Sequence, residues 1–200
     1  MNEKICGVIL AGGESRRFGS PKAFALYEGK PFWRHSYHAL RDVTSSQIIV
    51  SHPSLKVEFE QTTNLPVILD EETIRGKGPL AGIFSAMNSI EAEWYITLSC
   101  DVPKITSSII ETLLSYISSD FQATIPVIHG KMQPLIAVYH RSVFPLIKEL
   151  LDNDIYRMTA LLNQIDTLYL SEKDLKVDGI YFENINDKES LKDLVEKDNS

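Results

Sequence analysis

The fold of this chain is decided by Val8-Ile9-Leu10-Ala11-Gly12-Gly13-Glu14-Ser15-Arg16-Arg17-Phe18-Gly19-Ser20-Pro21-Lys22, where an apolar run stops at paired glycines. The run from Ile5 to Ala11 is largely apolar and β-branched, which predicts a buried strand. Glycines after a strand permit a tight turn and a close approach of backbone to a ligand. Bare N–H groups in such a loop form a concave anion site, and Arg16, Arg17 and Lys22 add positive charge beside it. The stretch therefore predicts a phosphate-binding loop; the alternative is a glycine-rich connection that binds nothing.

Two familiar phosphate-loop patterns do not match this chain. The Walker pattern needs Gly-x4-Gly-Lys-Ser/Thr, whereas Gly13 and Gly19 are too far apart and no lysine directly follows Gly19. The dinucleotide pattern needs Gly-x-Gly-x-x-Gly, which neither Gly12-Gly13 nor the segment 76–82 satisfies. The loop therefore belongs to another class of phosphate site.

Composition indicates one globular domain of residues 1–200. A hydrophobic fraction of 44% supports a real core and excludes wholesale disorder. The net charge of −7 argues against broad nucleic-acid binding. No stretch approaches the roughly 20 apolar residues of a membrane span, and the N-terminal residues lack the pattern of a signal peptide. We therefore expect a cytoplasmic protein without nucleic-acid or membrane partners.

The cysteines and histidines predict neither a disulfide nor a metal cluster. Cys6 and Cys100 are the only cysteines, and they fall near the start of one predicted strand and at the end of another. That separation is too large for a disulfide. The five histidines show no metal-ligand spacing with them.

The order of predicted elements indicates parallel βαβ units with right-handed crossovers in the first half. The strands predicted there are Lys4–Ala11, Gln47–Ser51, Pro66–Leu69 and Trp94–Ser99. The helices predicted there are Pro31–Val43, Pro79–Ile90 and Thr106–Ile117, with Thr106 as an N-cap.

The second half is less regular. Ala123–Ile128 and Leu135–Tyr139 could pair as a hairpin in which Gly130 supplies the turn. The remaining predicted elements are helices at Ser142–Leu151, Met158–Ile165 and Asp187–Lys197, and strands at Asp166–Leu170 and Ile180–Asn184. The predicted fold is α/β: a Rossmann-like, three-layer, open and mostly parallel sheet, with helices on both faces and a small antiparallel insertion in the second half. Residues 1–120 would form the nucleotide-binding half and residues 121–200 the second-substrate half.

Two carboxylates are predicted at the ligand-binding edge of this sheet. Ligands of open α/β sheets bind beyond the carboxyl ends of the strands, where Asp70 and Asp101 each end a predicted strand. Asp101, followed by the turn Val102-Pro103, suits magnesium, which prefers hard oxygen ligands and phosphates; the alternative is an N-cap or turn aspartate. Asp70 with its acidic neighbours could also be a solvated loop.

Two further segments could contact ligands. The segment Gly76-Lys77-Gly78-Pro79-Leu80-Ala81-Gly82 opens a helix whose N-terminus favours anions, although ordinary helix-start chemistry explains it nearly as well. Asn184 and Asn186 could together hold a polar head group, or could simply form a turn before Asp187.

Taken in order, these segments resemble the molybdenum cofactor guanylyltransferases, the MobA family, nearly end to end. The first loop resembles the nucleotidyltransferase motif Leu-Ala-Gly-Gly-x-Ser-x-Arg-x-Gly-x-x-Lys. The narrower resemblance rests on chain length, on Gly78-Pro79-Leu80-Ala81-Gly82, on Ser99-Cys100-Asp101-Val102-Pro103 and on Phe182-Glu183-Asn184-Ile185-Asn186. The resemblance implies transfer of GMP from Mg-GTP to molybdenum-molybdopterin, with pyrophosphate released. It also implies partners among other molybdenum-cofactor biosynthesis proteins and molybdoenzyme chaperones.

The resemblance also assigns roles to residues. It places GTP on Leu10, Ala11, Gly12, Lys22, Asp70 and Asp101. It places Mg²⁺, the implied cofactor, on Asp101, and catalysis on Arg17, Lys22 and Asp101. It places molybdopterin on Asn184 and Asn186.

Three departures from the family pattern leave other functions open. Ser51 stands where many relatives have asparagine, Phe18 replaces a common methionine, and Ser20-Pro21-Lys22 replaces a more usual aspartate-lysine pair. The proline form also occurs in related cytidylyltransferases, so a cytidylyltransferase acting on molybdopterin or on a sugar or polyol phosphate is the main alternative. A catalytically silent nucleotide-binding module is a second one.

Overall fold

Strands and helices alternate along the chain of the computed structural model, which describes residues 4–13, 15 and 17–198. The strands are β1 (Ile5–Ala11), β2 (Leu26–Tyr27), β3 (Lys30–Pro31), β4 (Ser46–Ser51), β5 (Val67–Leu69), β6 (Trp94–Ser99), β7 (Ala123–Ile128), β8 (Lys131–Met132), β9 (Ile136–His140) and β10 (Thr167–Ser171). The α-helices are α1 (Phe32–Leu40), α2 (Lys56–Thr62), α3 (Pro79–Ser89), α4 (Ser107–Leu114), α5 (Phe144–Asp152), α6 (Met158–Leu162), α7 (Glu172–Leu175) and α8 (Lys188–Asp198). Within these residues no helix combines the length and apolar character that a membrane crossing requires.

The main sheet has the strand order β10-β7-β9-β6-β1-β4-β5, and β8 pairs with β7. β1 is parallel to β4 and β6, β4 to β5, and β7 to β10. β9 is antiparallel to both of its neighbours, β6 and β7. The predicted open, mostly parallel sheet with a small antiparallel insertion is confirmed.

Alternating side chains of β1 supply two separate cores, one on each face of the sheet. Cys6 and Val8 pack in the cluster that includes residues of α3, α5 and α6. Ile9 and Ala11 pack in the cluster that includes residues of α1 and α4. Because successive strand residues point to opposite faces, a strand apolar on both faces must be covered by helices on both. The structure therefore confirms the predicted three layers.

Helix α3 is buried on nearly every side because it lies between the sheet and α5. Its residues from Leu80 to Met87 are all buried, and the helix contacts β1, β4, β5 and α5. Gly82 permits the closest approach, since a Cβ at that position would lie 3.1 Å from Leu10 Cδ2. This packing fixes the N-terminus of α3 beside the end of β1.

The predicted pairing of the second-half strands is confirmed, with β8 inside the connection. β7 pairs with β9 through Ala123 opposite Tyr139, and β7 turns into β8 at His129-Gly130. Both turn residues have positive φ, 48° and 73°, as a two-residue hairpin turn requires.

The predicted strand at Ile180–Asn184 is wrong. This segment instead contains a 3-10 helix at Gly179–Phe182, begun by Asp178, whose side chain accepts a hydrogen bond of 3.0 Å from Ile180 N. Gly179 packs so closely on the turn after β7 that a Cβ would lie 2.4 Å from His129 Nε2. The aspartate cap and this close contact favour a tight turn over an extended strand.

Both cysteines are buried and free, which confirms the expected absence of a disulfide. Burial raises the pKa of Cys6 to about 11 and, with the nearby Asp101 carboxylate, raises the pKa of Cys100 to about 12. Both thiols therefore stay protonated at neutral pH and serve as small core residues.

An aromatic cluster ties α2 to the segment that carries Lys22. Phe59 of α2 is fully buried; its ring lies 4.7 Å from that of Phe24 and 5.8 Å from that of Trp33. Phe24 ends the 3-10 helix Lys22–Phe24. Packing of α2 therefore supports the position of Lys22.

We expect Phe59→Ala to lower the free energy of unfolding by about 3–5 kcal/mol, the usual cost of emptying a buried phenylalanine site. Val57→Ala is the matched control, because Val57 lies on the same helix but is 64% exposed, and it should change stability by less than about 0.5 kcal/mol. Urea denaturation measures both. Equal stability of the two variants would contradict this packing role.

Candidate functional site

The carboxyl ends of the parallel strands place several polar groups along one edge of the sheet. Cys100 N donates to Leu10 O at 3.2 Å, and His52 N donates to Ala11 O at 3.2 Å. These bonds join the segment that leaves β1 to those that leave β6 and β4. The ends of β4, β1 and β6 therefore lie side by side at the edge where the sequence predicts a site.

The glycine loop leaves open space beside its backbone. A Cβ at Gly12 or Gly13 would meet no atom of the other described residues within 4 Å, and both glycines line a cavity at this edge. Ser15 holds the far end of the loop, because its Oγ accepts a 3.1 Å hydrogen bond from Lys22 N. Arg16 of the sequence motif lies outside the described residues.

Lys22 and Asp101 form the charged centre of the site. The Lys22 Nζ donates to Asp101 Oδ2 at 2.7 Å, and the two side chains are 15% and 16% exposed. The same ammonium donates to Asn186 Oδ1 at 3.2 Å. Asp101 and Asn186, which lie 79 and 164 positions after Lys22 in the chain, therefore both accept hydrogen bonds from the same side-chain nitrogen.

Hydrogen bonds hold both the main chain and the side chain of Asp101 in place. Its carbonyl oxygen accepts a 2.8 Å hydrogen bond from Ile185 N, and its Oδ1 accepts a short hydrogen bond from Ser99 Oγ. Ile185 is itself buried, in a small apolar cluster with Phe18 and Phe32. This anchor brings the following residue, Asn186, next to Lys22.

A cavity of about 560 Å³ extends from the glycine loop to the N-terminus of α3. Residues on its wall include Gly12, Ser51, Asp70, Gly78, Ser99 and Asp101. A volume of this size suits a small-molecule ligand such as a nucleotide. The Ser51 side chain is buried and donates to His52 O at 2.9 Å, so its hydroxyl proton is already used.

Asp70 lines this cavity and has an unsatisfied acceptor among the described residues. Its Oδ1 is buried and has no hydrogen-bond partner among the described residues, while its Oδ2 accepts only a long, 3.5 Å contact from Gly76 N. Burial raises the pKa of Asp70, and the Gly76 N–H and the Arg75 charge oppose that shift. A buried acceptor left without a donor is costly, so a ligand with N–H groups would be well matched here.

Within the described residues, no hydrogen bond or ion pair joins Arg17 or Asn184 to Lys22 or Asp101. Arg17 is exposed and helps to lower the pKa of Asp187, a shift caused mainly by hydrogen bonds from Ser190. Asn184 is also exposed. Of the two asparagines predicted for a second substrate, Asn186 contacts Lys22.

The oxygen groups around Asp101 fit a magnesium ion. Magnesium is usually held by one or two carboxylates while water and substrate phosphates complete its shell. The Asp101 carboxylate, with the Asn186 amide oxygen on the same ammonium, supplies hard donors of this kind. No cluster of three or more His, Cys, Asp or Glu ligands occurs among the residues that the structure describes.

The sequence reasoning missed two hydroxyl groups of the site. Ser99 donates to the Asp101 carboxylate, and Ser15 accepts from Lys22 N. The spacing Ser-x-Asp at the end of β6 was the available signal for Ser99. For Ser15 the signal was the serine within the loop motif itself.

Comparison with known proteins agrees with this geometry. The family model described as "MobA-like NTP transferase domain" matches residues 7–168. A probable molybdenum cofactor guanylyltransferase of Geobacillus sp. (strain WCH70) is 43% identical over 192 residues, which cover 96% of this chain and 98% of that protein. One from Halalkalibacterium halodurans is 42% identical and covers 92% of this chain and 94% of its own length.

The fold is also found among solved structures. The molybdopterin-guanine dinucleotide biosynthesis protein A of Archaeoglobus fulgidus superimposes with a TM-score of 0.82 at 23% identity, covering 97% of this chain and 98% of that one. At that identity the likeness concerns the fold, while the sequence relatives and the family model concern descent. The chain is a nucleotidyltransferase that belongs to the MobA-like NTP transferases and, within them, to the molybdenum cofactor guanylyltransferase family.

Proposed function

We propose that this protein transfers GMP from Mg-GTP to molybdenum-molybdopterin, yielding the guanine dinucleotide form of the cofactor and pyrophosphate. The observation that carries the proposal is the Lys22–Asp101 ion pair, because Asp101 lines the 560 Å³ cavity together with the open glycine loop. That arrangement puts a cation, a hard-oxygen ligand and bare backbone where a triphosphate would bind. The names of the relatives supply the two substrates.

The nucleotide would occupy the cavity with its base toward Asp70. A carboxylate can accept from both N1–H and the N2 amino group of guanine, but from only the N4 amino group of cytosine. The Asp70 carboxylate lines the cavity, its Oδ1 has no partner among the described residues and its Oδ2 has only a 3.5 Å contact, so the carboxylate would accept that pair of donors. Leu10, Ala11 and Gly12 would lie along the nucleotide, with Lys22 at its phosphates.

The proposed reaction does not require a covalent bond between the protein and a substrate. The nucleophile would be a terminal phosphate oxygen of molybdopterin, already ionised near neutral pH, so no general base is needed. Repulsion between two anions is the main obstacle, and Lys22, Arg17 and loop N–H groups would reduce it while stabilising the leaving pyrophosphate. An ammonium has three N–H groups, so Lys22 can keep its present partners and still donate to a phosphate. Magnesium bound at Asp101 would supply further positive charge for the triphosphate.

The second substrate would approach from the side of residues 121–200. Asn184 and Asn186 offer amides that both donate and accept, as a pterin edge or its phosphate requires. Asn186 contacts Lys22, so it would sit where the two substrates meet, with Asn184 farther out.

A panel of nucleoside triphosphates tests the proposed specificity. With purified molybdenum-molybdopterin and magnesium, we expect pyrophosphate release with GTP and little with ATP, CTP or UTP. Turnover with CTP, on molybdopterin or on a sugar or polyol phosphate, would support the cytidylyltransferase alternative instead. GTP binding without any turnover would indicate a silent nucleotide-binding module.

Asp101→Asn should fold, because the amide oxygen still accepts from Lys22 and Asn186 remains a second acceptor, but it should lose magnesium-dependent transfer. The amide keeps the shape and removes the anionic ligand, so we expect the rate to fall by about 100-fold or more, as the loss of several kcal/mol of charge stabilisation implies. The matched control is Asp42→Asn, which alters a surface carboxylate paired with Arg41. Near-wild-type rates of Asp101→Asn at limiting magnesium would refute the assignment.

Asp70→Asn should raise stability and weaken GTP binding together. Because the folded pKa of Asp70 lies above its unfolded value, stability falls as pH rises through that interval, and the penalty persists at neutral pH. The amide removes the cost of burying an ionised carboxylate. Urea denaturation should therefore show a higher free energy of unfolding for the variant than for wild type at pH 7, and the difference should shrink toward about pH 4, the pKa range of an unfolded aspartate. Calorimetry should show roughly 10- to 100-fold weaker GTP binding, the usual worth of a charge-assisted hydrogen bond.

The control for this change is Glu72→Gln, which removes an equal charge from an exposed neighbour and should leave both quantities unchanged. A destabilised Asp70→Asn variant, or one with undiminished GTP affinity, would contradict the role given to Asp70.

A further inference from the structure

The segment between β5 and α3 lines the cavity and contains two glycines in left-handed conformations. Gly76 and Gly78 have φ values of 73° and 95°, and both line the cavity. Glycine gives such a segment many alternative conformations, and ordering it costs conformational entropy. Contacts from elsewhere in the chain are therefore needed to hold it in one shape.

Lys77, between the two glycines, makes those contacts with the connection between α5 and α6. Its Nζ donates to Tyr156 OH at 2.7 Å and lies 3.4 Å from Asp154 Oδ1. The Tyr156 hydroxyl donates in turn to Asp154, and the Lys77 Nζ lies 4.9 Å from the centroid of the Tyr156 ring. Three side chains thus form one closed cluster, which we call the Lys77 clasp (Lys77, Asp154 and Tyr156).

The partner segment of the clasp is well anchored. Ile155 N donates to Leu150 O at 2.8 Å, and Met158 is buried in the same core cluster as the α3 residues. Asp154 has a φ of 58°, a strained value for a residue other than glycine, and its hydrogen bond from Tyr156 stays within this turn. The clasp therefore ties a pliant loop to a fixed part of the second half.

Hydrogen bonding within the clasp favours the charged forms of Lys77 and Asp154. The hydrogen bond to Tyr156 raises the pKa of Lys77, and the hydrogen bond from Tyr156 lowers the pKa of Asp154. Lysine and aspartate therefore both stay ionised under working conditions.

We infer that Tyr156, Asp154 and Lys77 are positioning residues for the nucleotide: they hold the Gly76–Gly78 loop in the shape that receives the base. This inference rests on the proposed function, because it takes the cavity to be the GTP site. None of the three is placed on the reacting phosphates. Loss of the clasp should therefore weaken GTP binding and leave the chemical step and the second substrate unaffected.

The test compares Tyr156→Phe and Lys77→Met with wild type. Tyr156→Phe keeps the ring and removes the hydroxyl; Lys77→Met keeps the apolar stem and removes the charge. Each should raise the Kd and KM for GTP by roughly three- to tenfold, as loss of one or two partly exposed polar contacts allows. The kcat at saturating substrates and the KM for molybdopterin should stay within about twofold of wild type.

Matched controls separate positioning from stability. Lys148→Met breaks another exposed lysine–aspartate pair, with Asp152 at 2.7 Å on α5, and should leave GTP affinity unchanged. Lys77→Arg retains a charged donor and should restore most of the affinity. GTP affinity that is unchanged in both clasp variants, or that falls equally in Lys148→Met, would overturn the inference.

Failure of the proposed function would look different. Wild type that binds another nucleoside triphosphate but not GTP would refute guanylyl transfer, and the clasp variants would then be compared with that nucleotide. Wild type that binds no nucleoside triphosphate would overturn both proposals.

Discussion

The site depends on one ion pair, between Lys22 and Asp101. Lys22 follows the loop that leaves β1, Asp101 follows β6, and their 2.7 Å contact joins the two at the edge of the sheet. Each side chain is mostly buried, so desolvation would be costly for either charge alone. The pair persists because Ser99 and Asn186 satisfy further hydrogen bonds around it. The same requirement explains why the chain after residue 180 must return to the sheet edge, where Ile185 and Asn186 complete the surroundings.

Close packing sets the geometry of the nucleotide cavity. Gly82 lets α3 approach Leu10 closely. A Cβ at this position would require a small shift of the Leu10 side chain. Gly12 and Gly13, by contrast, face open space, which keeps the backbone accessible to a ligand. Glycine therefore has two different roles here. Gly82 allows close packing in the core, whereas Gly12 and Gly13 keep the backbone exposed to the cavity.

Much of the fold and part of the site could be predicted from the sequence, and each failure has a physical reason. The strands β1, β4 and β6 are apolar on both faces, so the sheet and its ligand edge were predictable. Helix α2 alternates Val57 and Phe59 with charged residues, a pattern as typical of a strand as of a helix, and no element was predicted there. The segment after Asp178 begins with the apolar run Ile180-Tyr181-Phe182, which is typical of a strand, but its capped turn and the contact of Gly179 with His129 are features that this pattern does not reveal. The meeting of Asn186 with Lys22 spans 164 positions, and no local pattern encodes it. The assignment of ligands to individual residues stays a prediction.

The central claim is that Lys22 and Asp101 act as one unit on the transferring nucleotide. A double-mutant cycle with Lys22→Ala, Asp101→Asn and the double variant, measured as kcat for pyrophosphate release from GTP, tests it most directly. Residues that act as a unit give strongly non-additive losses, so the double variant should be scarcely slower than the slower single variant. Losses that simply multiply would show that the two residues act independently and would contradict the account.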